Sequence, residues 1–95
     1  MRNAAGRLIR QFRLQTEPRF TQAALAHALQ LRGMRIDRAG VSKIEGGYRR
    51  ITDVEIVIIA DALGVDPCQL LPPVSDPEIR RIIQLTFNST SEPSA

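Results

Sequence analysis

A chain of 95 residues, 43% of them hydrophobic but with no Trp and few aromatics, supports one domain with a modest aliphatic core. A single cysteine, Cys68, and a single histidine, His27, exclude an intrachain disulfide and a Cys/His metal site, and no cofactor is expected. The net charge of +3 is unevenly divided: residues 1–50 carry eleven Lys and Arg against three acids, residues 51–95 two against seven, so one half offers a cationic surface suited to a polyanion.

No run of 18 apolar residues occurs and the first residues lack the apolar stretch of a secretory signal, so a soluble, cytoplasmic chain with no membrane partner is expected. In chain order, Ala5, Leu8, Ile9 and Phe12 form one face of a helix over residues 3–14. Arg13 sits at the edge of that stripe, where a half-buried guanidinium needs an acid. Gln15 to Phe20 is a loop, because Pro18 lacks an amide hydrogen and pushes Glu17 out of the helical region. Thr21 caps a second helix, Gln22 to about Leu31, with Leu25, Ala26 and Leu29 inward, and Gly33 ends it. His27 points to solvent.

Asp37 caps a third helix of about two turns, residues 37–46, in which Val41 and Ile44 face inward and Gly46 and Gly47 allow a left-handed exit. This leaves Arg38, Ala39, Ser42 and Lys43 outward, two of them cationic. Gly40 is unexpected there, at about 1 kcal/mol relative to Ala, unless helix 2 passes close by. Thr52-Asp-Val-Glu55 has capping-box spacing, with Ile51 and Ile56 placed to staple the first turn. The fourth helix carries Ile56, Ile59, Ala60 and Leu63 on one face, widened by Val57 and Ile58, and Gly64 ends it. Asp66-Pro-Cys-Gln opens a short fifth helix to Leu71, in which Cys68 is half-buried and structural. One more helix, residues 76–87, has an Ile79, Ile82, Ile83, Phe87 stripe that either docks back on the domain or packs on a second copy. Residues 88–95 lack periodicity and are expected to be disordered. The boundary is set between a domain at 1–74 and a helix with a tail at 75–95.

Thr21-Gln22, Leu25-Ala26, Val41-Ser42-Lys43-Ile44-Glu45, Gly47, Arg49, Thr52 and Ile59-Ala60-Asp61-Ala62-Leu63-Gly64-Val65 occur in an order that resembles the phage-repressor and Cro-like (XRE-type) helix-turn-helix family over residues 4–71. The resemblance implies an all-α, lambda-repressor-like domain of five helices, followed here by the short C-terminal helix. It departs from the family between Gln22 and Val41, where about five extra residues are read as a further turn on helix 2 plus a loop.

In this docking mode the third helix enters the major groove and the second crosses the phosphate backbone. The resemblance therefore aims Arg38, Ala39, Ser42 and Lys43 at bases. It gives Gln22 and the Gly47, Tyr48, Arg49, Arg50 loop to phosphates, with Arg19 and Arg35 as secondary contacts, and pairs Arg13 with Glu45 structurally. The expected function is double-stranded DNA binding by a bacterial or phage transcriptional regulator acting as a homodimer. The alternative is an antitoxin-like module that binds a protein partner through residues 76–95. An enzyme is not expected, because Ser42, Lys43 and Glu45 are accounted for by the third helix, and RNA is disfavoured by the lack of an aromatic stacking platform.

Overall fold

Three threonine or aspartate caps begin three of the five α-helices in the computed structural model, which describes residues 2–16 and 20–87. The helices are α1 (Gly6–Gln15), α2 (Gln22–Leu31), α3 (Arg38–Glu45), α4 (Asp53–Leu63) and α5 (Pro77–Phe87), and no strand occurs among the described residues. The Thr21 hydroxyl accepts from the Ala24 amide at 3.0 Å and Asp37 from the Gly40 amide at 2.8 Å. Thr52 and Glu55 complete a reciprocal capping box at 3.1 and 3.0 Å.

Glycine ends α2, α3 and α4 by one device. Gly33, Gly47 and Gly64 have φ of 92, 81 and 73°, the left-handed region that a side chain disfavours. In each case the glycine amide and the next amide fold back on the last turn: Gly33 to Gln30 O and Met34 to Leu29 O, Gly47 to Ile44 O and Tyr48 to Lys43 O, Gly64 to Asp61 O and Val65 to Ala60 O. Of the pair at the end of α3, only Gly47 is left-handed, since Gly46 keeps a helical φ of −81°.

Ile9, Leu25, Leu29, Val41, Ile44, Ile59 and Leu70 are essentially inaccessible and form the centre of the core. Each such side chain contributes about 1.5–3 kcal/mol through burial, opposed by the entropy of ordering the chain. The long connection from α2 to α3 belongs to this core. Met34 and Ile36 are buried, and Gln30 Nε2 donates to the Ile36 carbonyl at 2.6 Å. Ile36 also explains Gly40, where a Cβ would lie 2.6 Å from the Ile36 side chain; the neighbour is this connection rather than helix 2.

Several expectations change. The first helix begins at Gly6 rather than residue 3; Ala5, which precedes it, has no side-chain cap, and Asn3 Oδ1 accepts from the Gly6 amide at 2.7 Å. The segment after Asp66 forms a single 3-10 turn, Pro67–Leu70, in place of a fifth α-helix, and it buries only Leu70. Only four residues separate Pro67 from Pro72, which leaves little room for i→i+4 bonding, and the Gln69 amide closes instead on Asp66 O at 2.9 Å. Cys68 is exposed, not half-buried. Val57 is 55% exposed and lies outside the α4 core face.

The last helix does not dock tightly on the domain, the first of its two expected outcomes. None of its residues is buried, and Ile79 and Ile82 line an open groove with Ala4 and Ile51 instead of closing on the body. Its amino end is fixed by Asp76, whose carboxylate accepts from the Glu78 amide and from Arg7, each at 2.8 Å. The Glu78 amide chiefly, and Arg7 after it, hold the Asp76 carboxyl below the ordinary aspartate value. Because the folded value is lowered, this anchorage is complete above the ordinary aspartate range and is lost as pH falls through the lowered value. An NMR acid titration should therefore show the α5 amino end released below the ordinary aspartate value; release at that ordinary value would contradict the anchorage. The expected disordered tail, residues 88–95, lies outside the described residues.

Candidate nucleic-acid interface

The eight residues of α3 divide sharply. Val41, Ile44 and Glu45 are buried against α1 and α2, while Arg38, Ala39, Ser42 and Lys43 are exposed. No side-chain hydrogen bond or ion pair holds Arg38, Ser42 or Lys43 among the described residues. A helix of this length is unstable alone, so its neighbours fix its direction.

Behind it lies a buried charge cluster. Arg13 Nε and Nη2 donate to the two Glu45 carboxylate oxygens at 2.6 and 3.0 Å, a bidentate pair with side-chain exposures of 8% and 2%. Arg13 Nη1 donates to the Phe20 carbonyl at 2.9 Å, and Gln22 Nε2 donates to Glu45 Oε1 at 3.0 Å. Four segments, α1, Phe20 just before the α2 cap, α2 itself and α3, are thus tied at one point. Gln22 stands at the amino end of α2 with its side chain turned onto Glu45. Beside it, Arg10 and Arg38 line one shallow groove with Thr21 and Ala23. Sequence reasoning left Arg10 outside the site; its signal was the position three residues before Arg13 on the outer face of α1.

The loop after α3 presents Tyr48, 74% exposed, with Arg50 exposed and Arg49 half-buried. Arg49 lies 3.3 and 3.4 Å from the Glu55 carboxylate, so the residue that closes the α4 capping box also steadies the loop. Gly47 is buried, its amide used at the end of α3 and its carbonyl accepting from the Arg2 amide at 2.6 Å. A Cβ at Gly46 would lie 2.8 Å from the Tyr48 ring, so the glycine lets the ring lie across the end of α3. Arg35 is exposed in the α2–α3 connection, and Arg19 lies outside the described residues.

Asn3 was also missed by sequence reasoning. Besides accepting from the Gly6 amide, it donates through Nδ2 to Ile44 O at 3.1 Å and to Arg49 O at 2.7 Å. An Asn three residues before a helix resembles any cap, and only the tertiary approach of α3 reveals the other two bonds.

Among the described residues, no cluster of three or more His, Cys, Asp or Glu could hold a metal, and no helix is long and apolar enough to cross a membrane. What the surface offers is an outward helix face with two unpaired cations, flanked by a groove and a loop that carry further arginines.

A helix-turn-helix family model matches residues 9–70. No curated protein and no solved structure matches the chain. The chain belongs to the Cro/repressor-like helix-turn-helix family of DNA-binding transcriptional regulators.

Proposed function

We propose that this chain is a sequence-specific double-stranded DNA binder that regulates transcription in the cytoplasm of a bacterium or for a phage, with α3 as its reading helix in the major groove. The observation that carries this is the division of α3, whose Arg38, Ala39, Ser42 and Lys43 face solvent without structural employment while its other side is locked into the core. Arg38 can donate two bonds to O6 and N7 of guanine, Lys43 can donate as a point charge, and Ala39 can touch a thymine methyl. Tyr48, Arg49 and Arg50, on the loop turned by Gly47, supply phosphate contacts, with Gln22, Arg35 and Arg19 around them.

One short helix reads only a few base pairs, so useful specificity requires a homodimer on an inverted repeat, with half-sites about 34 Å apart for one turn of DNA. Residues 1–74 form the reading domain and residues 75–95 serve assembly. A second reading, an antitoxin-like module whose C-terminal segment covers a protein partner, is favoured by α5, none of whose residues is buried and where Leu85 is 76% exposed. Cutting the chain after Val74 separates the two: loss of two-fold symmetry in the bound sequence assigns α5 to the homodimer, and loss of a stoichiometric partner protein assigns it to that partner.

Two substitutions test the assigned roles. Arg38→Ala should remove about 1–3 kcal/mol of discrimination at one base position. Arg49→Ala should weaken binding to every duplex alike and reduce the salt slope by about 1. Quantitative binding to matched and mismatched duplexes over a salt series measures both, and equal losses from both changes on every sequence would defeat the assignment.

A further inference from the structure

Residues 2 and 3 form a strap across the end of α3. The Arg2 amide donates to Gly47 O at 2.6 Å, and Asn3 bonds Ile44 O, Arg49 O and the Gly6 amide. The orientation of the Asn3 amide is forced, because the opposite one would set its oxygen against two carbonyls and its NH₂ against an N–H. Both Nδ2 hydrogens are therefore spent on the same task, joining the last turn of α3 to the backbone three residues beyond Gly46.

That join is needed. The bonds that end α3 reach only as far as the Tyr48 amide, which donates to Lys43 O at 2.8 Å. Beyond it, the Arg49 side chain meets Glu55 at 3.3–3.4 Å, long for a charged pair, whereas Asn3 holds the Arg49 carbonyl at 2.7 Å. A rotation of the peptide after Arg49 would carry the Arg49 carbonyl off Asn3 and re-aim Arg50, which borders the groove lined by Ile51 and Ile79. Asn3 makes the short bond that opposes that rotation, beside the longer one from Arg49 Nη1 to the Arg50 carbonyl at 3.4 Å.

We propose that Asn3 is a positioning residue for DNA binding: it touches no DNA, and by clamping Ile44 O and Arg49 O it sets the Arg49–Arg50 loop at a fixed offset from the reading face of α3. This rests on the reading of α3 and its loop as the DNA interface. It makes the approach of the phosphate contacts to the base contacts a property of the amino-terminal strap as well as of the helix-turn-helix unit.

Asn3→Ser is the informative change, since serine keeps an uncharged acceptor for the Gly6 amide, removes both Nδ2 donors and leaves one hydroxyl donor on a shorter side chain. In the full chain, binding to a random-sequence duplex should fall about tenfold, with a salt slope shallower by about 1, while the melting temperature falls by only about 10 °C and the ranking of base preferences is kept. In an Arg49→Ala/Arg50→Ala background the same change should have no further effect on binding, because the side chains it positions are gone. Arg2→Pro compared with Arg2→Ala isolates the second bond of the strap, and should reproduce the shallower slope.

Unchanged binding by Asn3→Ser, or a loss that adds fully to that of the loop variant, overturns the proposal while the DNA reading stands. An Arg49→Ala/Arg50→Ala chain that binds duplex as well as the wild type overturns the loop reading itself, and the proposal with it. Should Asn3→Ser fail to fold, the Arg2→Pro and Arg2→Ala pair decides: identical binding and salt slope in the two overturns the strap's role.

Discussion

Replacing Glu45 with alanine is expected to destabilise the domain by about 3–5 kcal/mol, the largest loss from any single change near the interface. The charge it neutralises is Arg13, 7% exposed, which would keep one bond, to the Phe20 carbonyl, and lose two. Gln22 would lose its partner at the same time. A domain of this size has about 5–15 kcal/mol of total stability, so the variant should melt more than 10 °C lower and be partly unfolded under mild denaturant. The loss belongs to breaking the pair rather than to the pair's net worth. Arg13→Met combined with Glu45→Leu should therefore recover most of the stability lost by Glu45→Ala. Urea unfolding of the three variants measures this, and a Glu45→Ala loss below about 1 kcal/mol would show that the cluster is not as dry as its geometry.

Gly6→Ala should be the second large effect, and its sign is the informative part. In an open helix the change gains up to about 1 kcal/mol from propensity. Here a Cβ would lie 2.1 Å from the Ile44 carbonyl and 3.1 Å from the Glu45 carbonyl, both backbone atoms that cannot rotate aside. Helices α1 and α3 must separate, and overpacking of this kind costs about 1–3 kcal/mol. We expect a net loss of about 2 kcal/mol together with weaker DNA binding, since the same separation pulls Asn3 from Ile44 O. A variant more stable than the wild type would contradict the close approach of α1 to α3.

These two sites mark where the sequence was readable and where it was not. Local signals sufficed for the caps at Thr21, Asp37 and Thr52, for the Gly33 and Gly64 exits, and for the α4 face of Ile56, Ile59, Ala60 and Leu63, because each depends on residues within one or two turns. The position of Arg13 beside an apolar stripe already demanded an acid. Gly6 and Asn3 gave no such signal: what matters about them is the α3 backbone, more than forty residues away in sequence for Asn3. Met34 and Ile36 were hidden in a segment read as an extra helical turn and loop, since single apolar residues in a connection have no period. The 3-10 turn at Pro67 shared its start signals with an α-helix and differed only in having too few residues to continue.

The same distinction applies to the interface. Periodicity alone left Arg38, Ala39, Ser42 and Lys43 on the outer face of α3, and the structure leaves them exposed. Periodicity could not show that Arg10 shares a groove with Arg38, or that the Gln22 side chain turns onto Glu45. Both depend on how α1 and α2 pack against α3.

The most direct test of α3 as a reading helix is selection of bound duplexes from a random pool at near-physiological salt, run in parallel for the wild type and Arg38→Ala. Enrichment of one inverted repeat by the wild type, with preference lost at one position per half-site in Arg38→Ala, is the predicted result. A wild-type pool without enrichment, and weak binding that disappears as salt rises, would contradict it and leave only a cationic surface.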